Sequence, residues 1–259
     1  MTRERIMQIM GKAAVVTGGS SGIGRAIAVA LAERGGHVII ADINEEGGRK
    51  TVDIIDRAGG IATYKHCDTT RTEDIAGALA AAYEHWKRLD IVCNNAGVGD
   101  VAEDFFGEVE SGWRNVVEVN LAGVIDGTRI AVREMQRLGG GVVINTASMG
   151  GLVPMPGAPV YAATKAAVVN FTRSLGYLGE ECNVRVNAIC PTFTDTALIR
   201  KSPEAGARID EIQAQVGGIL EPEEVADGVV ELVEDDSRAG AIMRVTVRGS
   251  RDYAREIRP

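Results

Sequence analysis

No run in this 259-residue chain approaches the ~20 consecutive apolar side chains of a membrane-spanning helix. Residues Met1 to Met10 carry charge and lack the apolar core of a secretory signal, so a soluble, cytoplasmic protein is expected. A concentrated cationic face is also missing. The 28 Lys and Arg are outweighed by 36 Asp and Glu, a formal charge of −8, which disfavours extended contact with nucleic acid or an anionic membrane. Basic residues do gather near the C-terminus (Arg244, Arg248, Arg251, Arg255, Arg258), but Asp252 and Glu256 interrupt them, and they read as a solvated tail. The 4 cysteines, Cys67, Cys93, Cys182 and Cys190, show no metal-ligand spacing. Each lies at or next to a strand-like run, which predicts reduced, buried thiols and no bound metal. No solenoid repeat and no low-complexity linker divides the chain.

What is present is ordinary globular material, 45% hydrophobic and 25% charged, in a length that suits one large domain with a two-sided core. Short β-rich runs alternate with helical patterns. Ala13 to Thr17 reads as a strand, Gly22 to Arg34 as a helix and Val38 to Asp42 as the next strand. Further strands are expected at Ala62–Cys67, Asp90–Cys93, Val142–Thr146, Val184–Ile189 and Ile242–Val247, with helices at Thr72–His85 and along Gly112–Leu138. Apolar runs without clean alternation suit parallel strands covered on both faces, and helices are the crossovers such strands need. The fold class is therefore α/β: a doubly wound, mostly parallel sheet of about seven strands with helices on both faces, the Rossmann arrangement, in a single domain. Residues 1–10 form an N-terminal extension to a domain spanning 11–259. Segment 192–218, rich in Gly, Pro and charge, falls at the carboxyl edge of the sheet and is expected to cover the substrate.

The first strand runs directly into Thr17-Gly18-Gly19-Ser20-Ser21-Gly22-Ile23-Gly24, which opens the first helix. In that position Gly18 makes the sharp turn, Gly22 lets backbone approach a pyrophosphate, and Gly24 lets helix and strand pack closely. The phosphates then meet free N–H groups and the positive end of the helix dipole. Asp42 ends the second strand, where a carboxylate accepts hydrogen bonds from the adenosine ribose and repels a 2′-phosphate. Ile43 after it supplies no compensating cation, so NAD is favoured over NADP.

Tyr161 and Lys165 stand four apart in a helical pattern and so share a face. Spacing alone is weak, because Tyr83 and Lys87 repeat it in a helix with no glycine loop or serine leading into it. The later pair follows Ile144 to Ser148, a strand that runs into a serine where the cofactor should lie. With the glycine turn, Cys67-Asp68, Asn94-Asn95-Ala96-Gly97, Asn120 within Val119-Asn120-Leu121, Ser148, and Tyr161 with Lys165, the sequence resembles the short-chain dehydrogenase/reductase family over nearly its whole length. The resemblance implies that Tyr161 is the general acid/base, that Lys165 favours its phenolate and holds the nicotinamide ribose, that Ser148 bonds the substrate oxygen, and that Asn120 holds a water linking Lys165 to solvent. It further implies a cofactor surface of Gly18, Ser20, Ser21, Gly22, Ile23, Gly24, Asp42, Ile43, Cys67, Asp68, Thr69, Asn94, Ala96 and Gly97. Tyr161, Lys165, Pro191, Thr192, Phe193, Thr194 and Thr196 complete it.

In one place the chain departs from the family. Pro-Gly is usual after the strand ending at Cys190, and here Pro191-Thr192 takes its place, restricting the backbone beside the nicotinamide. Val184 to Pro191, Gly218 to Pro222 and the run from Val233 to Met243 resemble the 15-hydroxyprostaglandin dehydrogenase branch, whose likeness implies NAD and a secondary alcohol on a lipid-like chain. Gly157-Ala158-Pro159-Val160 lacks that branch's polar glutamines. Ser148, Met149, Met155, Tyr161 and Phe193, with Val153 and Pro191 nearby, predict a pocket for an apolar, steroid or lipid-like alcohol or ketone. An NADPH-dependent carbonyl or 3-oxoacyl reductase is the alternative, and a non-catalytic dinucleotide sensor the second. The family likeness of the helical stretches Gly112–Leu138 and Tyr161–Leu178 implies a homodimer or homotetramer.

Overall fold

The computed structural model describes residues 7–99, 112–200 and 218–255. Strand β1 (Ala13–Thr17) leads through α1 (Gly22–Glu33) to β2 (His37–Asp42), then through α2 (Glu45–Arg57) to β3 (Ile61–His66) and through α3 (Thr72–Trp86) to β4 (Ile91–Asn94). Helix α4 (Gly112–Val117) continues through a π-helical turn (Glu118–Ala122) into α5 (Gly123–Leu138), β5 (Gly141–Thr146) and α6 (Pro159–Ser174). After α7 (Leu178–Cys182) come β6 (Val184–Pro191), the single turn α8 (Ala197–Arg200), α9 (Pro222–Glu234), β7 (Ile242–Val245) and β8 (Arg251–Tyr253).

All these strands form one sheet in the order β3-β2-β1-β4-β5-β6-β7-β8, parallel except for β8. The described sheet therefore has eight strands, not seven. The difference comes from the basic C-terminal run, part of which folds back as an antiparallel edge instead of dissolving into solvent. Two of its arginines find carboxylates, Arg244 chelating Asp252 at 2.6 Å and Arg251 meeting Glu231 at 2.8 Å, and Arg238 lies over the Tyr253 ring at 4.2 Å.

Strand pleating divides the core. Ala14 and Val16 of β1 pack with Ile27 and Leu31 of α1 and Val225 and Val229 of α9 on one face. Ala13 and Val15 face the other way, against Ile75 and Leu79 of α3 and Met135 of α5. Leu31 is completely buried, and its truncation to Ala is worth about 2–5 kcal/mol at such sites.

Local chemistry sets the helix ends. The Asn44 side chain accepts the Gly47 N–H at 3.0 Å at the start of α2, Glu224 accepts the Glu221 N–H at 2.8 Å at the start of α9, and Gly139 at φ 98° ends α5. The C-terminus of α9 is capped from the sheet: the buried Arg185 on β6 donates to the carbonyls of Leu232, Val233 and Asp235 and pairs with Asp236 at 3.1 Å.

A buried polar chain crosses the sheet. Asn94 donates to Asn145 at 2.9 Å and to Thr128 at 3.1 Å, and Asn145 donates to Thr172 at 3.1 Å, linking β4, β5, α5 and α6. Every member is satisfied, so the network fixes strand register rather than weakening the core.

Several expectations change. The stretch Gly112–Leu138 is helical but broken in hydrogen-bond pattern at Glu118–Ala122, and the stretch read as Tyr161–Leu178 stops at Ser174. Cys67, Cys93 and Cys190 are buried free thiols, each pushed up to about 12 by burial, whereas Cys182 is only half-buried at the end of α7. The end of the N-terminal extension is anchored rather than trailing: Ile9 is buried and the Met7 N–H reaches the Glu234 carbonyl at 3.0 Å, although Met10 stays exposed. Of segment 192–218, residues 201–217 lie outside the described residues, as do residues 1–6 of the N-terminal extension. No described helix is long and apolar enough to cross a membrane, and no described group of His, Cys, Asp and Glu could hold a metal ion.

Candidate active site

Strand β1 has β2 on one side and β4 on the other, so the chain departs in opposite directions from neighbouring strands and a crevice opens at their carboxyl ends. The glycine turn lies there. Gly18 and Gly22 have φ of +67° and +50°, which L side chains resist. At Gly24 the constraint is space, since a Cβ would stand 2.1 Å from the Gly18 carbonyl oxygen. Helix α1 starts at Gly22 without a side-chain cap from Ser21, which leaves its first N–H groups for an anion.

Asp42 closes one end of this turn. Its carboxylate accepts the Ser20 N–H at 3.0 Å and the Asn44 N–H at 2.9 Å, one on each oxygen, and each oxygen keeps a lone pair for another donor. The guanidinium of Arg25 donates to the Ser20 carbonyl and, at 3.0 Å, to Thr51, so Ser20 is held from both sides. Tyr64 donates to the Asp42 carbonyl at 2.8 Å. Ile43 beside it is 65% exposed, an apolar surface at the crevice rim. Asp68 and Thr69 follow the buried Cys67 at the end of β3. Thr70 donates twice to one Asp68 oxygen, through its N–H at 2.9 Å and its hydroxyl at 2.8 Å, and these bonds lower the Asp68 pKa.

The loop after β4 forms the floor. Asn94 does not present its side chain there, because the amide belongs to the buried network with Asn145 and Thr128. The residue that holds the loop is Asn95, which sequence reasoning passed over although it lies inside the quoted motif. Its amide donates to the Thr17 carbonyl at 3.0 Å, while the Asn95 and Ala96 N–H groups reach the Thr17 hydroxyl at 2.9 and 3.1 Å. Gly97 follows, and a Cβ on it would lie 3.3 Å from the Asn120 side-chain oxygen and 3.7 Å from Lys165 Nζ. Asn120 and Lys165 therefore converge on one glycine.

Asn120 is completely buried in the π-helical turn, and both ends of its amide bond the backbone of Val98 at 2.8 Å. That side chain clamps the loop after β4 and keeps one N–H and one lone pair beyond these two bonds. The half-buried Tyr161 lies on the first turn of α6. One turn on, Lys165 is 3% exposed, donates to the Thr146 carbonyl at 2.8 Å and lies 5.6 Å from the centre of the Tyr161 ring. Burial lowers its pKa from 10.5 to about 8. Ser148 follows β5 in extended backbone, and its hydroxyl oxygen accepts the Gly150 N–H at 3.1 Å, leaving its proton to donate elsewhere.

The far wall is the segment after β6. Thr192 stands where a glycine is usual in the family, yet it is not among the described residues with left-handed backbone; its N–H bonds the Val245 carbonyl at 2.9 Å, and its buried hydroxyl has no hydrogen-bond partner among the described residues. Thr194 is buried with its hydroxyl on the Thr192 carbonyl at 3.1 Å. Thr196 reaches the glycine turn, its methyl 3.1 Å from where a Gly22 Cβ would be. Phe193, Met149 and Met155 are half-buried at this edge.

The arrangement combines a glycine turn at a helix start, a carboxylate at its margin, and a tyrosine, lysine and serine at the end of the crevice. The sequence profile of the short chain dehydrogenases matches residues 12–206. The chain is 36% identical over 255 residues to 15-hydroxyprostaglandin dehydrogenase (NAD+) of Homo sapiens, covering 93% of this chain and 92% of that protein. It is 34% identical over 238 residues to cyclohexanol dehydrogenase of Acinetobacter sp. (strain SE19), covering 90% and 93% respectively. The crystal structure of a short-chain type dehydrogenase/reductase from Mycobacterium marinum superposes with a TM-score of 0.86 at 26% identity, over 92% of this chain and 95% of that one. This chain thus belongs to the short-chain dehydrogenase/reductase family and is an oxidoreductase of alcohols and ketones.

Proposed function

We propose that the protein interconverts a secondary alcohol and a ketone with NAD, using Tyr161 as general acid/base, on an apolar, steroid or lipid-like substrate. The observation that carries this reading is the buried Lys165 ammonium, 5.6 Å from the Tyr161 ring and adjoining Gly97 at the floor of the crevice. A phenol ordinarily ionises near pH ~10, and a cation held beside it out of water favours the phenolate, which takes the proton of the reacting hydroxyl. Ser148 donates its proton to the substrate oxygen and stabilises the charge that develops there. The proton leaves past Lys165. The Asn120 amide, bonded once at each end to Val98, keeps an N–H and a lone pair with which to hold a water on that path.

The turn fits a dinucleotide by its own geometry: an uncapped 12-residue helix, glycines where a Cβ would clash, and the carboxylate of Asp42 at its margin. When bound, NAD accepts or returns the hydride. Gly18, Ser20, Ser21, Gly22, Ile23 and Gly24 would hold its pyrophosphate, and Asp42, Ile43, Asp68, Thr69 and Ala96 its adenosine. Tyr161 and Lys165 would hold the nicotinamide ribose, with Pro191 to Thr196 alongside the nicotinamide. Asp42 repels a 2′-phosphate, and a relative covering nearly the whole chain is named for NAD. A homodimer or homotetramer acting in the cytoplasm completes this reading.

An absorbance screen with NAD and NADP against aliphatic, alicyclic, steroid and prostanoid alcohols tests the reading. Turnover of apolar secondary alcohols with NAD is expected. Reaction confined to small polar polyols, or strong preference for NADP, overturns it.

A further inference from the structure

Beside Ser148, the backbone of Gly150 carries two things at once. Its N–H holds the serine hydroxyl at 3.1 Å, and its open face is occupied by the thioether of Met155. A Cβ on Gly150 would lie 2.1 Å from Met155 Sδ and 3.2 Å from its Cγ, with Ser148 Oγ at 3.5 Å. Gly150 is absent from the glycines with positive φ, so an alanine meets no backbone strain. The neighbouring Gly151 differs in kind, because there a Cβ would strike the Lys165 main chain at 2.6 Å, which cannot give way. At Gly150 only a flexible side chain stands in the way, and it must move.

We infer that Gly150 and Met155 act as a coupled pair that determines substrate width: the missing side chain at residue 150 seats Met155 against the turn that carries Ser148, and the seated thioether forms the apolar wall beside the reacting carbon. This rests on the reading of Ser148 and Met155 as substrate-contacting groups given above. Methionine suits such a wall, being apolar, polarizable and adaptable in its rotamers. A methyl group at residue 150 unseats it toward the crevice and narrows the space for the substituents of a secondary alcohol. Shortening Met155 instead widens that space.

The test is a set of three variants, Gly150→Ala, Met155→Ala and the double variant. Each is assayed for kcat/KM on a slim and a bulky apolar secondary alcohol, 2-butanol and a polycyclic alcohol, with NADH binding by fluorescence and thermal midpoints as controls of folding. In Gly150→Ala the bulky-to-slim ratio falls about tenfold, the scale of one methylene in an apolar pocket, mainly through KM. In Met155→Ala the ratio rises. The double variant returns to the Met155→Ala ratio, because the alanine methyl then occupies space the sulfur has left. If Gly150→Ala lowers the ratio as much without Met155 as with it, or if neither single variant moves the ratio, the coupling is refuted while the dehydrogenase reading stands. If the wild-type protein binds NADH but oxidises no secondary alcohol, the underlying reading fails and the inference falls with it.

Discussion

Lys165 lies 5.6 Å from the ring centre of Tyr161, the same separation that divides Lys87 from Tyr83. Distance and spacing are identical, yet Lys165 is buried with its ammonium on the Thr146 carbonyl, while Tyr83 is 48% exposed and Lys87 caps the end of α3 in left-handed backbone. Chemistry follows burial. Tyr161→Phe is expected to lower kcat by about 10²–10⁴-fold while NADH still binds, and Tyr83→Phe to leave turnover unchanged. Steady-state kinetics with fluorescence titration of NADH checks both; full turnover by Tyr161→Phe would remove the proposed mechanism.

The depressed pKa of Lys165 has a signed consequence for stability. Its folded value is about 8 against 10.5 for an exposed lysine, so the unfolded chain binds more protons between those values. The cost of burying the ammonium is full below pH 8 and is relieved as pH rises toward 10.5. Lys165→Met, which removes the charge, is expected to have its largest thermal advantage over wild type below pH 8, with the gap closing as pH rises. Melting both proteins across pH 6.5–10 by differential scanning, with the difference taken at each pH, decides it; a gap that widens with pH contradicts the burial argument.

Much of the crevice is legible in the sequence. The glycine turn was readable because strand, turn and helix are contiguous, and Asp42 because it ends the next strand. Ser148 and the Tyr161–Lys165 pair each follow a recognisable strand or helix start. What stayed hidden depends on partners distant in sequence. Nothing near Asn94 tells that its amide points inward to Asn145 and Thr128 while Asn95 binds Thr17, since both asparagines belong to the same motif. The commitment of Asn120 to Val98 across 22 residues is equally invisible, as is the seating of Met155 on Gly150. The C-terminal strand was misread because its charges look solvated until Glu231 and Asp252 are brought opposite them.

Cofactor choice should turn on Asp42. Asp42→Ser removes the negative charge at the proposed ribose site and keeps a short polar group, so the NADP-to-NAD ratio of kcat/KM is expected to rise at least about tenfold, the ~1.4 kcal/mol equivalent of a modest charge effect. The Ser20 and Asn44 N–H groups also lose a carboxylate acceptor, so the melting midpoint falls. Kinetics with both cofactors tests the first point, and an unchanged ratio would place specificity elsewhere.

Arg185 should matter to stability out of proportion to its distance from the crevice. Arg185→Ala strips the donors from the carbonyls of Leu232, Val233 and Asp235 and leaves Asp236 without its partner. Removing one member of such a buried charged set typically costs about 3–5 kcal/mol. A urea titration should show the midpoint lowered without a change in slope, and a loss below about 1 kcal/mol would mean that α9 is capped in another way.

The antiparallel β8 also governs how the molecule behaves among its neighbours at high concentration. A parallel sheet that stopped at β7 would offer Ile242, Met243 and Val245 beside open backbone donors and acceptors, a template for further strands from other chains. Three residues carrying Arg251 and Asp252 occupy that template and run the wrong way to continue the parallel ladder. Shortening the chain to end at Gly249 would trade a charged margin for an adhesive one, and the purified protein would scatter light and lose colloidal solubility while the glycine turn after β1, several strands away, kept its shape.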